Sequence, residues 1–394
     1  MQVDGLKRIV AKMDFYSGKI YNTLYSLGVS IVGRIVYPLS IIKNKNTYIN
    51  AESYFPELER KPLSRILWEQ LVWAFKYGDI NKYYFMWGGD IKGRTLKDFV
   101  PWFKWVNARQ CKNKMPKRPE YDTYNSVCLL RDKFYFEAIL KKAGYTTPCN
   151  IMMINDGKLY LLNNNGHCIP HNLQDITNYD IDAFCKKNVG HGGGMSEDVF
   201  PLKIKDGIIS IRNQEVTFEE FSRIVSNSNC SWIIQDRIKN QAKFMSQFHP
   251  ASINTIRIVT VKEEKNVDAI CAFARFGINN RGSDNWSSGG ILVGIDVNTG
   301  EFEEYGLFKP GVGTKSLSHP NTNVTFKGQI VPNWKEIIEY AKSLHEIFYD
   351  LHSIGWDVCL TEDGPLIIEG NDNWDTIDAQ FYHPGKILFD KYFK

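Results

Sequence analysis

The 394-residue chain lacks most of the features that would settle its class at once. It has no Cys-x-x-Cys pair. Its eight cysteines, at 111, 128, 149, 168, 185, 230, 271 and 359, fall at no spacing that would hold zinc together with histidines. A disulfide-stapled small domain and a zinc module are excluded, and reduced, mostly buried thiols in a cytoplasmic protein are expected. Charge of one sign is also lacking. A net charge of +4 gives no global polyanion-binding surface, so no nucleic-acid partner is expected. No apolar run is clean enough to span a membrane: Ile20 to Ile42 is broken by Asn22, Arg34, several serines and Pro38. Met1 to Val10 is charged and no apolar core follows, so a secretory signal is not expected. Repeats and low-complexity tracts are absent. What remains is 43% hydrophobic and 13% aromatic, enough for two or three domains with sizeable cores.

The charge is unevenly placed. Residues 1–50 carry Lys7, Arg8, Lys12, Lys19, Arg34, Lys43 and Lys45 against Asp4 and Asp14, a net +5 in a chain whose total is +4. Mixed with Ile, Val, Leu and Tyr, such a segment reads either as a packed helical extension or as an interfacial helix on the inner, anionic face of a membrane. A second basic run, Lys104, Arg109, Lys112, Lys114, Lys117 and Arg118, has no acid between Phe99 and Pro119. It reads as a solvated face or as a surface for an anionic sugar or phosphate.

Residues 1–115 read as a helical N-terminal region, punctuated by Met115-Pro116-Lys117-Arg118-Pro119. From about 116 the texture becomes α+β. Arg131 to Ala143 is a helix closed by Gly144 and Pro148. Strands are expected at about 150–154, 158–163, 183–188, 232–238 and 291–297. A hairpin is expected from Ile253–Val261 to Val267–Gly277. Residues 334–351 form an amphipathic helix, with Asn333 and Glu336 placed for a capping box.

The sharpest pattern lies near the C-terminus. Gly355 to Thr361 and Pro365 to Asn371 flank Glu362-Asp363-Gly364. A three-residue loop with Gly364 left-handed pairs Thr361 with Pro365 and Asp357 with Glu369. Their Cβ atoms would then lie roughly 4.5–5.5 Å apart on one face, with Asn371 on the same side. A two-residue turn would put the acids on opposite faces. Opposed carboxylates need a cation. Two carboxylates and an amide oxygen suit Mg²⁺ shared with nucleotide phosphates, and a nearby Arg or Lys is the simpler alternative. Upstream, Lys186-Lys187-Asn188-Val189-Gly190-His191-Gly192-Gly193-Gly194 follows a strand, as a phosphate-covering loop would. No G-K-[ST] follows, so it is not a Walker A loop, and no placed acid makes it a Rossmann loop.

Strand, lysine and glycine loop, then an apolar hinge strand, then Asp…Glu-x-Asn, resembles the ATP-grasp superfamily. The nearest likeness is to the sugar-transfer-associated ATP-grasp proteins of bacterial surface-polysaccharide clusters. Asp132-Lys133, Ala143 to Pro148, Asn254-Thr255-Ile256-Arg257, Ser287 to Gly290, His319-Pro320, Gly355-Trp356-Asp357 and Ile368 to Trp374 carry the resemblance over about 120–394. It implies an ATP-grasp fold over 116–394, with two α+β subdomains clamping ATP: a smaller lid at about 148–235 and a larger metal-binding part at about 236–394. It implies that Lys133 and Lys187 hold nucleotide phosphates, with Lys186 competing for the latter role, and that Gly190, His191, Gly192, Gly193 and Gly194 cover them. Gln235, Asp236, Arg237 and Ile238 match the adenine hinge. Asp357, Glu369 and Asn371 match the magnesium ligands. There are two departures. The place of the ribose-holding acid is Ala242, and that of an arginine before the first metal Asp is Gly355. Arg257 or Arg275 supplies that charge instead. Asn285, Ser287 and Ser288, with His319, suit acceptor contacts. The implied activity is ATP-dependent carboxylate–amine ligation on a sugar or lipid-linked saccharide. A phosphotransferase and a non-catalytic nucleotide-binding subunit are the alternatives.

Overall fold

The computed structural model describes residues 19–114, 126–162, 168–189, 198–226, 230–279 and 284–394. Its contacts divide the chain into two compact units, Met1–Pro101 and Trp102–Lys394.

The first unit is built on α1 (Lys19–Lys43), α2 (Lys45–Ile49) and α3 (Leu63–Tyr77). Helix α1 packs closely on the end of α3. A Cβ at Gly33 would lie 2.2 Å from the Gly78 carbonyl oxygen, so only glycine permits the approach. Arg34 Nη2 also donates to the Lys76 carbonyl at 3.1 Å. Gly78 ends α3 in the left-handed region. The irregular stretch after it is pinned by Lys61, which donates to Glu69, to the Gly89 carbonyl and to the Arg94 carbonyl. Tyr84, Trp87 and Phe99 fill the space beneath.

The second unit opens with α4 (Trp102–Lys114), α5 (Val127–Arg131) and α6 (Lys133–Lys142). Two antiparallel sheets follow. The first takes β1 (Asn150–Asn155), β2 (Lys158–Leu162), β3 (Cys168–Asn172), β4 (Ile181–Lys187), β5 (Val199–Lys205), β6 (Ile208–Ile211), β7 (Gln214–Val216) and β8 (Trp232–Asp236), in the order β3-β2-β1-β8-β4-β5-β6-β7. The second takes β9 (Thr255–Glu263), β10 (Asn266–Phe276), β11 (Ile291–Ile295), β12 (Phe302–Leu307), β13 (Lys315–Ser316), β14 (Ser353–Thr361) and β15 (Gly364–Asn371), in the order β13-β12-β11-β10-β9-β14-β15. Helices α7 (Phe218–Ser226), α8 (Lys243–Ser246), α9 (Trp334–His345) and α10 (Lys386–Tyr392) complete the unit. This is the α+β architecture the sequence predicted.

Each sheet has its own apolar core. Phe200, Leu202, Phe221 and Trp232 gather on the first, and Phe248, Ile256, Phe276, Ile337 and Trp356 on the second. The β9–β10 hairpin forms as expected, Glu263 pairing with Asn266 and Glu264 adopting positive φ between them. Two expectations fail locally. Asn333 is left-handed (φ 54°) and makes no side-chain cap to α9. A capping residue needs extended backbone to reach the helix amides, so no capping box forms there. Helix α9 also stops at His345, and a 3₁₀ turn, Glu346–Phe348, replaces its last turn.

Candidate functional site

The acids of β14 and β15 meet by a route the turn alone does not supply. Thr361 pairs with Gly364, not Pro365, across the two-residue loop Glu362-Asp363. That one-residue slip would send Asp357 and Glu369 to opposite faces. The register then shifts between Val358↔Ile367 and Asp357↔Glu369, a bulge that makes Ile368 the extra residue and restores the facing pair. Asn371 follows on the same side, its Nδ2 donating to Glu369 Oε1 at 3.2 Å.

Strands β9 and β10 bring the cations. Arg257 lies directly across from Asp357 on β9. Its Nε and Nη2 both donate to the carboxylate, the latter at 3.1 Å. Arg275 of β10 adds Nη2 at 2.8 Å. Gly355 leaves room for the Arg257 side chain beside it. A Cβ there would come within 2.7 Å of Trp374 Cβ and 3.2 Å of Arg257 Cδ, so the place of a larger side chain is already filled. Arg275 is itself braced. Its Nε and Nη2 donate to Thr255 Oγ1 at 3.0 and 2.8 Å, and Thr255 donates through its backbone N–H and hydroxyl to Asp284.

Burial raises the proton affinity of Asp357, but Arg257 and then Arg275 more than offset it, holding the carboxyl well below the usual carboxylate range. Glu369 goes the other way. Burial pushes its pKa up, the Asp357 charge and shared hydrogen bond push it further, and Arg257 and Lys133 only partly compensate. Asp284 is likewise raised, by burial first.

The two lysine positions separate cleanly. Asp132 caps α6, accepting from Phe134 and Tyr135 amides, and starts the helix so that Lys133 follows at once. Lys133 Nζ lies 3.4 Å from the Asn188 carbonyl at the end of β4. Burial lowers the Lys133 pKa and the Glu369 charge opposes this. Lys186 donates to Gln235 Oε1 at 2.8 Å, Gln235 to Asn150 Oδ1 at 2.9 Å, and Asn150 to the Lys133 carbonyl at 3.1 Å. Burial pushes Lys186 down to about 8, with Glu369 opposing and Lys133 adding to the shift. Lys187 points to the other face of β4. It pairs with Asp198 at 2.6 Å and lies over the Trp232 ring. Of the two lysines, Lys186 is therefore the one in electrostatic contact with Lys133 and Glu369.

The remaining expected residues scatter. Gly190, His191, Gly192, Gly193 and Gly194 lie outside the described residues. Gln235 is buried and holds Lys186. Asp236 is exposed, Arg237 pairs with Asp182 at 2.6 Å, and Ile238 is half-buried. Asn285 uses its side chain to cap the turn Trp286–Ser288, leaving Ser287 exposed and Ser288 half-buried. His319 is fully buried and bonds the Gly277 carbonyl at 2.8 Å, and burial lowers its pKa. It braces the loop after β10. The basic run also divides. Arg109 is buried against Asn373, and Lys112 donates to the Tyr392 carbonyl, so both hold the chain that follows the acids. Thr255, Asp284 and Asn150 were not expected. Thr255 stood within a quoted stretch, but nothing in the spacing tied Asp284 or Asn150 to the acids.

Among the described residues no three His, Cys, Asp or Glu side chains cluster as a metal site. Asp357, Glu369 and the Asn371 amide nonetheless form a hard-oxygen set. Burial and the facing Asp357 charge both disfavour the ionised form of Glu369, and a divalent ion held by the pair would offset both.

Comparisons with known proteins bear on this geometry. The model of the sugar-transfer associated ATP-grasp family matches residues 117–385. Among solved structures, the chain is similar to D-alanine–D-alanine ligase from Bacillus anthracis complexed with ATP (12% identity, 67% of this chain and 66% of that one, TM-score 0.36). It is also similar to an L-amino acid ligase from Bacillus licheniformis (11%, 68% and 48%, TM-score 0.38). A third is N5-carboxyaminoimidazole ribonucleotide synthetase from Thermotoga maritima (11%, 67% and 48%, TM-score 0.33). The chain thus spans about half to two thirds of the length of these matches. A search of curated proteins gave no match. With a family model covering more than half of its length and paired acids standing between arginines and lysines, the chain belongs to the sugar-transfer associated ATP-grasp family.

Proposed function

We propose that the chain is an ATP-dependent carboxylate–amine ligase acting in the assembly of a surface polysaccharide, joining an amino acid or amino sugar to a saccharide precursor by an amide. The observation that carries this reading is the pairing of Asp357 with Glu369 between two arginines and two half-buried lysines. That arrangement suits a polyphosphate chain and a developing acyl phosphate, not a neutral ligand.

Two steps follow. A substrate carboxylate oxygen attacks the γ-phosphorus of ATP, the bond from that phosphorus to the β,γ-bridging oxygen breaks, and ADP leaves. An amine then attacks the acyl carbon, the C–O bond to phosphate breaks, and the amine gives up its proton as the amide forms. Lys133 and Lys186 neutralise phosphate oxygens, while Arg257 and Arg275 face the transferring phosphoryl group and the tetrahedral carbon. Asp357, Glu369 and Asn371 would hold Mg²⁺, which supplies charge neutralisation to the phosphates when bound. The glycines from Gly190 to Gly194 cover the nucleotide in this reading, and Asn285, Ser287 and Ser288 face the acceptor.

Incubation with ATP, Mg²⁺, a panel of carboxylates and hydroxylamine tests the class. An acyl phosphate is trapped as a hydroxamate with stoichiometric ADP. A phosphate ester without hydroxamate would make the protein a phosphotransferase. Thermal stabilisation by Mg-ATP with no ADP under any acceptor would make it a binding subunit. Mass spectrometry of the surface polysaccharide with and without the protein tests the pathway, through loss of an amide-linked substituent.

A further inference from the structure

The first unit carries large apolar side chains on its surface in an ordered way. On α1, Ile31, Ile35, Leu39 and Ile42 are 57%, 61%, 61% and 56% exposed. At about 100° per residue they share a face about 80° wide. Gly33 and Ile41, on the other side of the helix, are buried. On α3, Trp68 and Phe75 are 59% and 62% exposed at i and i+7, while Ile66, Gln70, Trp73 and Ala74 pack inward. An ordered apolar stripe on each of two packed helices is more than scattered surface apolarity, and it calls for a partner.

The charge around the stripes says which partner. From Phe15 to Ala51 the chain has no acidic residue. Lys43 closes α1, Lys45 opens α2, and both are exposed. Lys76 stands exposed beside Phe75. On α1 the apolar face is bordered by cations alone, and on α3 the one acid beside the outward Trp68, Glu69, is neutralised by Lys61 and Arg65. Such a surface is complementary to lipid headgroups of negative charge rather than to water or a neutral protein surface. Among the described residues no helix is long and apolar enough to cross a membrane, so such a helix lies along the interface.

We propose that α1 and α3 dock the chain on an anionic bilayer surface, with the Ile31–Ile42 stripe and Trp68 seated at the headgroup–acyl boundary and Lys43 and Lys45 over the lipid phosphates. The inference stands apart from the ligase reading, because none of these residues belongs to the proposed nucleotide site.

The test is co-sedimentation of the full chain with phosphatidylcholine vesicles and with phosphatidylcholine–phosphatidylglycerol vesicles, across a salt series. The wild type should pellet with the anionic vesicles and be released by salt. The double variant Ile35→Glu/Leu39→Glu should lose vesicle partition about tenfold or more while keeping its far-UV spectrum, thermal transition and Mg-ATP binding. Lys43→Glu/Lys45→Glu should lose only the preference for anionic lipid. A wild type that stays in the supernatant overturns the proposal, as does a double variant that pellets unchanged. So does a wild-type dimer in light scattering that Ile35→Glu/Leu39→Glu dissolves without any vesicle binding, since a second copy is then the occupant. Ligase assays in detergent-free buffer read the other proposal separately.

Discussion

The two units depart from the usual partition of residues in opposite senses. In the first, Ile31, Leu39, Trp68 and Phe75 face solvent. In the second, Asp357, Arg257 and Lys262 are buried. Apolar groups left in water and charges taken out of it are both costly, and neither is needed to make a fold stable. The first kind of departure answers to a surface the unit must meet. The second answers, in the proposed reading, to a charged ligand: phosphates would meet Lys133 and Lys186, and a divalent ion would offset the repulsion between Asp357 and Glu369. Regions that look equally compact can thus be told apart by which rule each one breaks.

The largest effect that would break this comparison is expected at Asp357. Asp357→Asn leaves two guanidinium groups inside without their counter-charge, and urea unfolding should show a loss of about 3–5 kcal/mol. A loss under about 1 kcal/mol would mean that water reaches the pair, and that the second unit holds no buried charge of consequence. Glu369→Gln comes next. It removes a carboxylate that burial and Asp357 already disfavour. Stability without nucleotide should therefore hold or rise, while ADP formation drops about a hundredfold or more and the Mg²⁺-dependent part of the ATP-induced melting shift disappears. Full activity in that variant would remove Glu369 from the chemistry.

Lys186 sharpens the comparison by pH. Its pKa falls from 10.5 in the unfolded reference to about 8 in the fold. Between those values the unfolded chain binds more protons, so stability should rise with pH across that window, the cost of the buried charge being fully present below it. Lys186→Met should flatten the rise and weaken ATP binding about tenfold. Lys187→Met should weaken binding far less, since its partners are Asp198 and Trp232. Equal losses in the two variants would show that the facing of β4 does not select between them. The smallest effect belongs to Thr255→Val. It removes the hydroxyl between Arg275 and Asp284 and should lower turnover severalfold with little change in the affinity for ATP, measured by separate kcat and KM determinations.

Much of this was legible before any coordinates. Alternation in period two gave β9 and β10, and the acids of β14 and β15 were expected to face one another. The reason offered for that facing was incomplete. A three-residue loop was expected, a two-residue loop formed, and the bulge at Ile368 restored the pairing. No local pattern around Ile368 announces a bulge, because what tolerates the extra residue is the place of β15 at the edge of its sheet, which only the assembled topology fixes. The choice between Lys186 and Lys187 was equally closed to the sequence. Adjacent lysines on a strand differ only in facing, and facing is set by which side of β4 its neighbours β5 and β8 leave to the apolar core.

The sequence by itself determined the chemistry available: two acids and an amide on one hairpin, lysines at a strand end, arginines on the strands beside them, and a basic apolar stretch near the start. Those follow from residue type and short-range periodicity, which act within a few residues along the chain. Only the tertiary structure decided which charges meet. Arg257 and Asp357 are 100 residues apart, and Thr255 and Asp284 are 29 apart. Electrostatic energy depends on separation in space and on how much water is excluded between the groups, and neither quantity exists until the sheets have packed.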